Sequence, residues 1–79
     1  MNRAELRAEL ERNGVPEWAY SLNGGNRPEK YCIDEGPDGW SVYYSEKGNR
    51  NDEVVLETED EACRKLLEWV LADDSVMGR

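Results

Sequence analysis

The tetrapeptide Thr58-Glu59-Asp60-Glu61 constrains the fold more tightly than any other stretch of the chain. It matches a capping box, in which the Thr58 hydroxyl accepts from the amide of Glu61 and the Glu61 carboxylate reaches back to the amide of Thr58. A helix is expected to start there. Beyond it Ala62, Cys63, Leu66, Leu67, Trp69, Val70 and Leu71 recur at three- and four-residue steps, while Arg64, Lys65 and Glu68 take the other side. An apolar stripe of that width requires a sheet beneath it.

The sheet is readable upstream. Residues 29–35 alternate, with Tyr31 and Ile33 on one side and Lys30, Cys32 and Asp34 on the other; residues 40–46 set Trp40, Val42 and Tyr44 against Ser41, Tyr43 and Ser45. Gly36-Pro37-Asp38-Gly39 joins the two runs as a strong turn, which predicts a hairpin over 29–46. Lys47-Gly48-Asn49-Arg50 makes the next turn, and residues 53–57 form a third, shorter strand with Val54 and Leu56 on one face and Val55 on the other. Residues 2–13, rich in strong helix formers with Leu6 and Leu10 four apart, predict a first helix. Asn13-Gly14 ends it, Val15 can fold back on its last turn, and Pro16 cannot continue it. Residues 16–22 fit either an extended piece or one helical turn after Pro16, and residues 23–28 read as a loop. The sum is an α+β, two-layer domain over residues 1–72: an N-terminal helix, a three-stranded antiparallel meander and a C-terminal helix, both helices on one sheet face. Residues 73–79 are expected to be a frayed tail.

A chain of 79 residues with 38% apolar side chains builds one modest core and has little room for a deep pocket. Eighteen acidic side chains against ten basic ones give a net charge of −8 with no histidine. Nucleic acid and anionic membranes, which are held by cationic side chains, are therefore disfavoured as partners. No apolar run is long enough to span a bilayer, and Glu5, Arg7 and Glu9 stand where a signal peptide would be apolar, so a cytoplasmic location is expected. Cys32 and Cys63 are far apart and accompanied by no histidine, which leaves zinc binding and a Cys-His nucleophile without a second member. They are expected to be reduced, buried thiols. Gly24-Gly25 lacks the glycine fingerprint of a phosphate loop, and so small a sheet offers no cleft to hold a sugar between two carboxylates. No catalytic role, cofactor or metal is expected. A protein partner is, with the chain itself a monomer or weak homodimer.

Six carboxylates, Asp52, Glu53, Glu57, Glu59, Asp60 and Glu61, fall in residues 51–62 with no Lys or Arg among them. The last three occupy the first turn of the helix, where the macrodipole favours negative charge. Asp52, Glu53 and Glu57 are not explained that way, although charge on an edge strand also discourages edge-to-edge association. Beside them, Tyr43 is expected on an open sheet face between Ser41 and Ser45, with Glu46 and Arg50 at the hairpin tip. Aromatic and arginine side chains are enriched at interface centres. The candidate partner-binding set is thus Tyr43, Glu46, Arg50, Asp52, Glu53 and Glu57.

Trp40 leading into Val-Tyr-Tyr-Ser-Glu-Lys-Gly-Asn-Arg, then a short apolar strand, then Thr58-Glu-Asp-Glu-Ala-Cys-Arg-Lys-Leu-Leu, resembles a small family of immunity-type proteins from bacterial polymorphic toxin systems. In that family the strand tip reads Tyr-x-Glu-Arg-Gly and the helix start Glu-Asp-Glu-Ala-Cys. The likeness runs over residues 31–67 and more loosely over the first helix; Lys47 stands where Arg is usual, and Val55 where Phe is commoner. The resemblance implies a protein that binds a cognate toxin domain and blocks it without chemistry of its own. An adaptor domain that recruits a protein without inhibiting it, and a phage-type inhibitor whose carboxylates imitate phosphate spacing, are the alternatives.

Overall fold

The computed structural model describes residues 1–25 and 28–79; of the loop expected over 23–28, Asn26 and Arg27 lie outside the described residues. Helix α1 spans Arg3–Arg12, a 3-10 turn Glu17–Ala19 leads into strand β1 at Tyr20–Ser21, and strands β2 (Lys30–Gly36), β3 (Gly39–Glu46) and β4 (Asn49–Leu56) follow. Helices α2 (Glu59–Ala72) and α3 (Asp74–Met77) complete the chain. The α+β class is as the pattern indicated, but the sheet has four strands in the order β1-β2-β3-β4 and is mixed. The meander expected from three alternating runs gains a short parallel strand, because Tyr20 and Ser21 pair with Tyr31 and Cys32 on the outer edge of β2. Residues 16–22 thus adopt both conformations that their composition allowed, a helical turn after Pro16 and then an extended pair.

Local rules explain most boundaries. Asn2 caps α1 with a complete capping box, its side chain accepting from the Glu5 amide at 2.9 Å while the Glu5 carboxylate accepts from the Asn2 amide at 2.9 Å. At the other end, the Gly14 amide donates to the Glu11 carbonyl and that of Val15 to the Leu10 carbonyl, both at 3.0 Å. That is a Schellman closure, with Gly14 at φ 74° and Val15 buried against the last turn. At the start of α2 Thr58 accepts from the Glu61 amide at 3.1 Å, but its hydroxyl donates to the Glu61 carboxylate at 3.0 Å. The expected box is half formed: Glu61 engages the Thr58 hydroxyl instead of its amide.

Both helices lie on one face of the sheet. Leu6 and Leu10 of α1, Ile33 of β2, Val42 of β3, and Ala62, Cys63, Leu66 and Val70 of α2 are fully buried in one cluster. Arg3 locks the first helix to that layer: its amide donates to Glu59 at 2.9 Å, one guanidinium nitrogen donates to the Leu22 carbonyl at 3.1 Å, and the group lies 5.1 Å from the Trp40 ring. Asp60 accepts from Arg64 at 2.9 Å and from the Met1 α-amino group at 2.6 Å, contacts that hold its carboxyl below the usual range. Residues 73–79 do not simply fray. Asp73 caps a final helical turn, Val76 and Met77 pack against the core, and Gly78 ends the turn at φ 74°.

Two hairpin turns place the strands. Lys47 and Gly48, at φ 52° and 79°, form the tight β3–β4 turn, so Asn49 and Arg50 are strand residues and β4 is longer than its apolar pattern indicated. Gly39 opens β3 at φ 131°, where a Cβ would lie 2.4 Å from the Leu56 carbonyl oxygen. Gly39→Ala should therefore lower unfolding free energy by about 3 kcal/mol, whereas Gly48→Ala, with nothing within 4 Å of the added carbon, should cost only about 1 kcal/mol. Urea denaturation of the two variants checks this; equal losses would show that steric contact at β4 does not govern the position.

Candidate partner-binding site

The six candidate residues do not form one patch, and a bulge in β4 divides them. Pairing of β3 with β4 runs Val42 to Val54 and then Tyr44 to Asn51, so Asp52 and Glu53 together face Tyr43. Asp52 takes the extra position at φ 57°. Before the bulge the strand alternates one way and after it the other. Glu53 and Arg50 consequently share the sheet face away from the helices, and Asp52 turns to the helix side.

On the outer face the expectation of an exposed Tyr43 is overturned: the residue is fully buried. After β1 the chain crosses over the outer face of β2 at Gly24 and Gly25, and the Gly25 carbonyl accepts from the Tyr43 hydroxyl at 2.8 Å. Gly24 makes the crossing close, since a Cβ on it would lie 2.5 Å from Cγ of Asp34. Arg50 completes the cover with its guanidinium 4.2 Å from the Tyr43 ring centroid, donating to Glu53 at 2.8 Å and Asp34 at 3.3 Å. The bond to Glu53 is the main reason its proton is held more firmly than in a free guanidinium. Tyr43 and Arg50 therefore build the face and do not project from it. Cys32 is buried beneath the same cover, and Ser45 is buried with no hydrogen-bond partner for its hydroxyl among the described residues.

On the helix side, Tyr31, Tyr44 and Trp69 enclose an open cleft of about 590 Å³ whose rim carries Asp52, Ala72 and Asp73. The rings are mutually inclined: Tyr31 and Tyr44 have centroids 4.9 Å apart at 61°, and Tyr31 and Trp69 6.5 Å apart at 57°. Tyr31 is fixed by donating to Asp73 at 2.7 Å. Asp73 also accepts from the Ser75 hydroxyl at 2.6 Å and from the amides of Ser75 and Val76, bonds that hold its carboxyl below the usual range. Glu46 follows Tyr44 by two residues along β3 and so faces this side as well. Sequence patterning assigned Tyr31, Tyr44 and Trp69 only to the core. Their exposed rims emerge from the meeting of a strand pair with the end of α2, a long-range contact that no local spacing records.

Glu46, Asp52 and Glu57 are exposed and have no ion-pair or hydrogen-bond partner among the described residues, whereas Glu53 pairs with Arg50 and Glu59 and Asp60 are tied to the N-terminal segment. Among the described residues no three His, Cys, Asp or Glu side chains group to hold a metal, and no helix is long and apolar enough to cross a membrane. Comparison of the chain with protein-family models, curated proteins and solved structures gives no match.

Burial pushes the Tyr43 phenol up to about 12. An unfolded tyrosine ionises near pH 10, so the folded state binds more protons above that pH and this contribution is lost as pH rises from about 10 to about 12. Alkaline unfolding followed by phenolate absorbance should show that loss, and Tyr43→Phe should remove its share of the slope while costing about 1 kcal/mol at neutral pH. Ser45→Ala, which deletes an orphaned buried hydroxyl, should raise stability by about 1 kcal/mol in the same denaturation assay.

Proposed function

We propose that this chain is an immunity-type protein that binds a cognate bacterial toxin domain in the cytoplasm and blocks it by protein-protein contact. The observation that carries the reading is the division of its carboxylates. Those at the start of α2 are spent on internal contacts, while Glu46, Asp52 and Glu57 stand unneutralised along and beside an edge strand. Unneutralised carboxylates of this kind attract a basic surface and speed its encounter. Toxins that act on nucleic acid or nucleotides carry basic active sites, which makes them suitable partners for such a surface. The resemblance of residues 31–67 to the immunity-type family points the same way. The edge of β4 itself is protected from simple strand addition by its bulge and its charges, which favours recognition through side chains.

The direct test is co-expression with the toxin domain encoded beside it. Rescue of growth, with a complex recovered by pull-down, is the expected result; recovery of a complex without rescue would favour an adaptor, and no complex would end the proposal. Association should slow steeply with added salt, and Glu46→Lys combined with Glu57→Lys should reduce the association rate on the order of 10-fold at low ionic strength. Stopped-flow mixing reads this, and an unchanged rate would reduce those carboxylates to solvated surface.

A further inference from the structure

We propose that the cleft between Tyr31, Tyr44 and Trp69 receives a cationic side chain of the protein partner, arginine in preference to lysine. The inference rests on the reading of a basic protein partner and names the group that this partner inserts. Three features of the cleft favour a cation over a neutral apolar group. It is lined by three aromatic side chains, with the Tyr31 ring inclined by about 60° to those of Tyr44 and Trp69, which supplies aromatic surface to a cation entering the cleft. No Lys or Arg is among its lining residues. The rim holds two carboxylates in different states: Asp73 has its oxygens occupied by Tyr31, Ser75 and Val76, whereas Asp52 has no partner among the described residues.

The surrounding field has the matching sign. Both phenols are harder to ionise than free tyrosine, first because of burial and then because of neighbouring carboxylates, Asp73 and Asp52 for Tyr31 and Glu29, Glu46 and Asp73 for Tyr44. A guanidinium entering the cleft meets those charges without displacing an existing ion pair. Arginine suits the geometry better than lysine because a planar guanidinium stacks on a ring face while its N–H fork reaches a single carboxylate. Asp52 shares the helix side with Val54, two residues on, and lines the cleft, where it can accept that fork.

The probe is N-acetyl-arginine amide, titrated into the isotopically labelled full chain and followed by amide and indole resonances, with N-acetyl-citrulline amide as the neutral isostere. The expected result is saturable movement of the Trp69 indole signal with the arginine compound and at least threefold weaker binding of the citrulline compound. Asp52→Asn, chosen because Asn tolerates positive φ, and Tyr44→Leu, which keeps apolar bulk without a π-face, should each weaken arginine binding at least threefold. Thermal melts and the remaining resonances verify that both variants are folded. Equal binding of citrulline, a stationary Trp69 signal, or full affinity in both folded variants overturns the cleft assignment. The two proposals fail separately: a toxin complex indifferent to Asp52→Asn and Tyr44→Leu sinks the cleft alone, and arginine saturation of the cleft without any captured partner sinks the immunity reading alone.

Discussion

The burial of Tyr43 is the constraint on which the arrangement of this chain depends. A two-layer domain with both helices on one side leaves the other side of its sheet to water, and in 79 residues no third layer is available. The chain covers that side with a connection instead of an element. After β1, Gly24 and Gly25 cross the outer face, and the hydrogen bond from the Tyr43 hydroxyl to the Gly25 carbonyl satisfies both a buried phenol and a loop carbonyl. Everything that permits this crossing is fixed in turn. The two-residue parallel strand delivers the chain to the correct edge, Gly24 allows its backbone to meet Asp34, and Arg50 closes the remaining side of the ring.

The position of Arg50 depends on the β4 bulge. Without the extra residue the strand's alternation would put Arg50 on the helix side, opposite the face it covers. With it, Arg50 and Glu53 share the outer face, and Asp52 is left over the aromatic cleft. The irregularity thus serves the outer face, and the strained φ of Asp52 is the local cost. The division of charge has the same origin. Arg50 is satisfied by Glu53 and Asp34 on the outer face and so is not available to neutralise the helix side.

The sequence is most informative where structure is local. The C-terminal stop of α1, the cap at Thr58, the turn at Gly36–Gly39 and the face assignments of Ile33, Val42 and Tyr44 all follow from spacing within a few residues, and the described structure has them. The parallel strand is not readable, since two residues carry no alternation and their pairing is with Tyr31 and Cys32, eleven positions away. The bulge was hidden because Asp52, not glycine, takes the positive φ. Tyr43 shows the limit of face reasoning: alternation places it on the side away from the helices, but the side of a sheet does not determine what else lies over it. The capping box at Asn2 and the turn begun by Asp73 use ordinary cap residues, yet the tail's order depends on Tyr31, 42 positions away.

These long-range contacts explain how so acidic a chain keeps a compact fold while leaving charge outside. Several carboxylates in the layer of helices have a donor: Glu59 has Arg3, Asp60 has the Met1 amine and Arg64, and Asp73 has Tyr31 and the final turn. The contacts to Arg3, to the Met1 amine and to Tyr31 join segments distant in sequence, so that charge contributes to the fold. Glu46, Asp52 and Glu57 join nothing within the described residues and repel one another weakly across solvent. Such exposed like charges add no stability, which is why a folding explanation accounts for the first set and not the second. A cationic partner would supply the missing donors, and because two of the three carboxylates lie on paired strands it would do so without first ordering a loop.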